Sequence, residues 1–256
     1  MQITNPAFDY DSKNHNYSDI RKADPRIGAY VRNSLNGSNT ILNVGAGTGS
    51  YEPDDKFVIA VEPSSVMRAK RLTLGKNPAV NAKADDLPFD DRSFDAVMAI
   101  LTIHHWPDLK SGLLEVKRVA KKKIAILTYD PEMLDIFWNA RYFPRLIEIE
   151  RSRYPKLEQI SAYLGEEITI TNIMIPLNCT DGFQEAFYGR PEAFLREEVR
   201  NAQSAWGFLD KKIEETYVKQ LSDDLASGEW DRLYGYHRTL PEFEGAFRLL
   251  EVELHK

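Results

Sequence analysis

The chain has 256 residues, 43% of them hydrophobic and 28% charged, which is enough to bury a full core and too apolar for disorder. A formal charge of -6 argues against a surface that grips nucleic acid by neutralising phosphates, and favours a small-molecule or protein partner. The single cysteine, Cys179, excludes an internal disulfide and fits a reducing cytosol. Polar Asn5, Asp9, Asp11 and Lys13 stand where a signal peptide is apolar, and no window nears about 18 apolar residues, so a cytoplasmic protein with no membrane contact is expected.

In chain order, short β-branched runs alternate with helical segments, the pattern of a mostly parallel sheet covered by helices. Strands are predicted at 40–44, 57–61, 94–100 and 123–128, with a weaker one at 79–82, giving five parallel strands. Ser64 is placed to cap a helix over 65–74, and Asp108 to cap one carrying Leu109, Leu113, Val116 and Ala120 on one face. The stretch from Gly47 to Lys56 leaves about ten residues for the first crossover, so the first helix is expected to be vestigial.

After Asp130 the texture changes. Asp130-Pro131 opens an expected helix rich in aromatics, ended or kinked at Pro144, and more helix runs to Gly165. A strand at 168–177, helices through Leu195–Trp206 and Ile213–Leu225, and a last strand at 243–252 complete a sheet of about seven strands. The chain 1–256 reads as one α/β domain, with helical insertions at about 131–165 and 180–240 forming a lid or substrate subdomain.

The most informative segment is Asn43-Val44-Gly45-Ala46-Gly47-Thr48-Gly49, a strand entering a turn stripped of side chains, against which a ligand can lie. Seventeen residues beyond Gly45, the second strand ends at Glu62-Pro63, placing a carboxylate where it can accept both hydroxyl hydrogens of a ribose. An ordinary tight turn is the competing reading, and Glu62 weighs against it. A dinucleotide site requires G-x-G-x-x-G opening a helix that faces pyrophosphate. Here the spacing is G-x-G-x-G and the helix is nearly absent, which suits a ligand without phosphates.

These segments, together with Ala84-Asp85-Asp86-Leu87-Pro88-Phe89, Ser93-Phe94-Asp95-Ala96-Val97 and His104-His105-Trp106, resemble the class I S-adenosylmethionine (SAM)-dependent methyltransferases, specifically the small-molecule "type 11" group. The resemblance implies a Rossmann-like fold and SAM as cofactor. It implies that Gly45, Ala46 and Gly47 lie against the methionine part, Glu62-Pro63 against the ribose and Ala84-Asp85 beside the adenine, with Ile100 and Leu101 near the sulfur. Tyr17 and Arg21 match loosely an N-terminal pair that reaches the amino-acid end. Three features depart from the family: Asn43 where an acid is usual, Lys83 where an acidic adenine contact is usual, and the shortened first helix. The amide oxygen of Asn43 can still accept from the SAM ammonium, without the charge attraction.

Methyl transfer is an in-line displacement that needs alignment and exclusion of water, with a base only where the acceptor must lose a proton. His104 and His105, beyond the fourth strand, are the candidates for that base; a loop-forming role competes. A metal site is not expected, since only His15, His237 and His255 remain and there is no cysteine cluster. Trp138, Tyr142, Tyr188 and Arg190 are candidates to roof an acceptor pocket, although aromatics at helical spacing more often fill cores. The acceptor is read as a small molecule presenting oxygen, nitrogen, sulfur or carbon. Two other readings stand beside the enzyme: a protein that binds SAM without turnover, and a nicotinamide-dependent oxidoreductase, which the glycine spacing disfavours.

Overall fold

The computed structural model describes residues 20–255. Seven strands form one sheet: β1 (Thr40–Val44), β2 (Phe57–Val61), β3 (Ala79–Val80), β4 (Phe94–Ile100), β5 (Ala120–Tyr129), β6 (Thr169–Pro176) and β7 (Glu242–Glu253). Their order is β3-β2-β1-β4-β5-β7-β6. The first five run parallel, and β7 is antiparallel to both its neighbours. The expected strands are therefore all present; β3 is shorter than predicted and β5 begins earlier.

Helices start where short polar side chains satisfy free backbone donors. Asp24 accepts from Arg26 N–H ahead of α1 (Pro25–Ser34), Ser64 from Met67 N–H ahead of α2 (Ser65–Thr73), and Asp108 from Ser111 N–H ahead of α3 (Leu109–Val119). Between β1 and β2 there are only turns, as the short crossover requires.

The inserted segments depart further from expectation. The aromatic run after Asp130 is not one helix but a 3₁₀ segment (Pro131–Ile136) and a single turn, α4 (Asn139–Tyr142). Pro144 then opens α5 (Pro144–Arg153), since a proline without N–H costs nothing at a first helical position. Next comes α6 (Leu157–Leu164), closed by left-handed Gly165. The predicted helix through Leu195–Trp206 is also broken, into 3₁₀ turns around the short α7 (Glu197–Asn201). Helices α8 (Lys211–Ser227) and α9 (Glu229–Tyr234) precede the last strand.

Alternation along the strands divides the core between the two sheet faces. Leu42, Val44, Val97, Ala99, Ile124 and Ile126 pack with Leu113 and Val116 of α3 and Ile160 and Leu164 of α6. Ile41, Ala96, Met98, Ala125 and Leu127 pack with α1 and with Phe137, Trp138, Phe143, Phe194, Trp206 and Trp230 of the insertions. The insertions thus complete the same core as the sheet, and Cys179 lies buried in it, its thiol pushed up to about 12 chiefly by burial. No described helix is long and apolar enough to cross a membrane.

Candidate cofactor site

Register brings the site together. Strands β1 and β2 pair from Thr40–Phe57 to Val44–Val61, so they end level and Gly45 stands beside Glu62. Gly45 and Ala46 N–H both donate to Val61 C=O at 2.9 Å, folding the turn over the end of β2. Gly45 and Gly47 hold left-handed φ values of 70° and 51°. A Cβ on Gly45 would overlap Thr102 Oγ1, whereas a Cβ on Gly47 would enter open space.

The Glu62 carboxylate is fixed from both sides, by Gly47 N–H at 2.7 Å and Ser64 N–H at 2.8 Å. A carboxylate held by two backbone donors is pre-oriented as an acceptor. Strand β4 ends beyond them at Ile100, and Leu101, with φ 51°, turns the chain while its N–H donates to Leu127 C=O. A non-glycine residue in that region is held there by its surroundings, and such strain gathers at functional sites.

The turn, Glu62 and the end of β4 enclose a cavity of about 510 Å³, within the range of small-ligand sites. Arg21, Asn43, Gly45, Ala46, Gly47, Glu62, Pro63, Ala84, Ile100, Leu101 and His105 all line it. His104 and Asp85 do not, and Tyr17 lies outside the described residues. Tyr51, Met67 and Thr102 line it as well, without having been singled out in the sequence.

A solved structure of a putative methyltransferase from an antibiotic biosynthesis pathway of Anabaena variabilis ATCC 29413 is similar over 93% of this chain and 100% of its own, at 31% identity and a TM-score of 0.85. The chain belongs to the class I SAM-dependent methyltransferases. A methyltransferase-domain family model matches residues 42–127. The ubiquinone/menaquinone biosynthesis C-methyltransferase of Citrifermentans bemidjiense is 32% identical over 130 residues, 43% of this chain and 53% of that protein, so the chain spans about half the length of the curated relatives it matches. The YcgJ structure from Bacillus subtilis, at 17% identity, a TM-score of 0.53 and coverage of 91% and 99%, shares the fold.

The residues of this methyltransferase fit its cofactor. Gly47 leaves bare backbone facing open space, the Glu62 carboxylate is pre-oriented, and Asn43 carries a buried Oδ1 without a hydrogen-bond partner. The inserted segments reach the same wall through polar contacts. Arg153 of α5 meets His105 Nδ1 at 3.3 Å. Asp181 accepts from Arg21 Nε at 2.6 Å and from Tyr51 OH at 2.8 Å. A guanidinium only donates, so His105 Nδ1 is an acceptor and its proton sits on Nε2. Removal from water, then the Arg153 and Arg21 charges, push the His105 imidazole down to about 3. His104 is held well below its ordinary value by burial and by His105 and Arg153, and its ring packs on Tyr154 at 4.2 Å. Both imidazoles are therefore neutral near pH 7.

The expected roof residues lie elsewhere. Trp138 and Tyr188 are buried, Trp138 Nε1 donating to Tyr188 C=O at 2.7 Å and Tyr188 OH to Leu240 C=O. Tyr142 OH donates to Asp224, and Arg190 to the carbonyls of Cys179 and Ala186. None of the four lines the cavity: the three rings pack in the core, and the polar contacts of all four go to backbone carbonyls or the half-buried Asp224 carboxylate. Among the described residues no group of three or more His, Cys, Asp or Glu is placed to hold a metal.

Proposed function

We propose that this chain transfers a methyl group from SAM to a small-molecule acceptor. The observation that carries the reading is the bare turn at Gly45–Gly47, with Glu62 fixed beside it, at one side of a ligand-sized cavity closed by Leu101 and His105. In this reading Ala84 borders the adenine, Glu62 binds the ribose, and Asn43 and Arg21 meet the amino-acid end, while Asp85 stands next to the adenine side without lining the cavity. Ile100 and Leu101 face the sulfur. SAM, when bound, supplies an electrophilic methyl on a cationic sulfonium. The chain's own part is alignment and exclusion of water, for which Leu101, Trp106 and Pro107 provide apolar walls.

The acceptor side lies toward the insertions, and we read residues 131–165 and 180–240 as its boundary. A second, smaller cavity of about 40 Å³ there shares Arg21, Leu101 and His105 with the first. It is lined by His104, Tyr129, Glu150 and Gln203, and buried His104 Nδ1, Tyr129 OH and Gln203 Nε2 have no hydrogen-bond partner. Those groups suit a hydrogen-bonding portion of the acceptor. His105 Nε2–H suits a donor to it better than a base, since an imidazole held near 3 is a weak proton acceptor at neutral pH. A negative net charge and one unpaired cysteine support a non-nucleic-acid substrate and a cytoplasmic setting.

The test begins with calorimetric titration of SAM, S-adenosylhomocysteine (SAH) and NAD, followed by incubation of metabolite pools with methyl-labelled SAM. Binding of SAM and SAH, with label appearing in a low-molecular-weight product, is the expected result. Binding without label transfer under any pool would make it a SAM-binding protein, and binding of NAD alone would overturn the reading.

A further inference from the structure

Asn43, next to last in β1, lines the cavity, yet its side chain is also part of a buried ion-pair network behind the turn. Its Nδ2 donates to Glu52 Oε1 at 2.9 Å. Glu52 in turn takes a two-pronged pair from Arg71, NH1 to Oε1 at 2.8 Å and NH2 to Oε2 at 2.9 Å. The Glu52 and Arg71 side chains are only 4% and 1% exposed, and neither lines the cavity. Arg71 Nε donates to Asn77 C=O, which anchors the guanidinium from the other side.

An amide has a donor end and an acceptor end of nearly equal shape, and only its partners decide which way it faces. A carboxylate can only accept. Glu52 therefore claims Nδ2 and leaves Oδ1 as the atom available on the other arm of the amide, where it is buried without a partner. The strand order lays Ala84 after β3, Glu62 after β2, Asn43 near the end of β1 and Thr102 after β4 along one sheet edge. A nucleoside whose ribose meets Glu62 extends an amino-acid tail over Asn43.

We propose that Asn43 and Glu52 work as one unit, the Arg71-paired Glu52 carboxylate holding the amide so that Asn43 Oδ1 is the atom that accepts from the ligand's ammonium. This rests on the cavity being the SAM site. Glu52 is a positioning residue: neutralised by Arg71, it orients a neutral amide and makes a carboxylate at position 43 unfavourable, because two acceptors would face each other across a hydrogen-bond distance. Moving the charge forward requires changing both residues together.

The experiment compares SAH with 5′-methylthioadenosine, which keeps the nucleoside and sulfur but has no ammonium, by calorimetry on the full chain, alongside melting temperatures. Asn43→Ala should weaken SAH about tenfold or more and leave methylthioadenosine within twofold. Asn43→Asp alone should lower the melting temperature by several degrees. The pair Asn43→Asp with Glu52→Gln, in which the new amide nitrogen donates forward and its oxygen keeps one of the two Arg71 contacts, should recover part of the lost melting temperature and bind SAH at least as tightly as the natural chain. The proposal is overturned if Asn43→Ala weakens both nucleosides equally or neither, if Asn43→Asp melts as the natural chain does, or if the double variant is no better than Asn43→Asp. A natural chain that binds neither nucleoside refutes the SAM reading itself, which is a different failure.

Discussion

Gly47→Ala separates binding from folding. A Cβ there meets no protein atom within 4 Å, so the fold bears only the cost of a left-handed alanine, about 1–2 kcal/mol. For a chain of this size that lowers the melting temperature by about 2–8 °C. The same methyl enters the space a ligand on the turn must fill, and overpacking a close contact costs about 1–3 kcal/mol, the middle of which, about 1.4–2.7 kcal/mol, is a tenfold to hundredfold loss of SAH affinity. At SAH one hundred times the natural dissociation constant, ligand binding stabilises the natural chain by about 2.7 kcal/mol. The variant at the same concentration should gain only about 0.4–1.4 kcal/mol. Thermal melts with and without SAH, and calorimetry for the affinity, measure both terms. A variant that binds SAH within twofold of the natural chain, with the full rise in melting temperature, refutes the placement of the ligand against this turn.

Trp138→Ala should cost about 3–5 kcal/mol in urea unfolding and leave SAH affinity unchanged, because the indole sits among Phe137, Tyr142, Phe194 and Trp230 and away from the cavity. Imidazole ¹⁵N spectra should show His105 as the Nε2–H tautomer with no titration between pH 5 and 8; a midpoint inside that window contradicts its burial beside Arg153. Burial raises the Glu185 carboxyl from 4.5 to about 7, against the pull of Ala246 N–H and Arg248. A raised acid favours the folded state fully below about pH 4.5 and loses that contribution as pH rises through about 7, on the order of 3 kcal/mol in all. Glu185→Gln should flatten the stability profile across that window, and an unchanged slope would show that the carboxyl is ionised throughout.

The parts of the molecule that could be read from sequence are those decided by neighbours along the chain. The ends of β1 and β2 fall where β-branched runs meet Gly45 and Glu62-Pro63, and Ser64 and Asp108 cap the helices that follow them, as their positions imply. The glycine turn and Glu62 are likewise legible, because seventeen residues bring them to adjacent strand tips in any parallel pair that ends level. In the inserted segments, aromatic spacing carries too little information to separate a continuous helix from the 3₁₀ turns these residues form. Trp138 and Tyr188 remain ambiguous in sequence for the same reason: a large ring looks alike whether it faces a cavity or a core, and here both are buried. Tyr51 and Thr102 carried no motif at all, and only the φ of 63° at Tyr51 and the close approach of Thr102 to Gly45 reveal why they stand where they do.

What escaped the sequence altogether is the wall joining the two halves of the site. Arg153 lies 48 positions from His105, and Asp181 lies 160 from Arg21 and 130 from Tyr51. No local pattern encodes such pairs; they exist because α5 of the first insertion and the second insertion pack on the sheet face that also carries α1. Asp181 is 1% exposed and accepts from two residues that line the cavity, so its carboxylate cannot shift without releasing a cation and a phenol from the cavity wall. The second insertion is thereby bonded to the cofactor side, as the first is through Arg153 and His105. Any redesign of these segments must preserve Arg153 and Asp181, or it will disturb the cavity that the turn and Glu62 define.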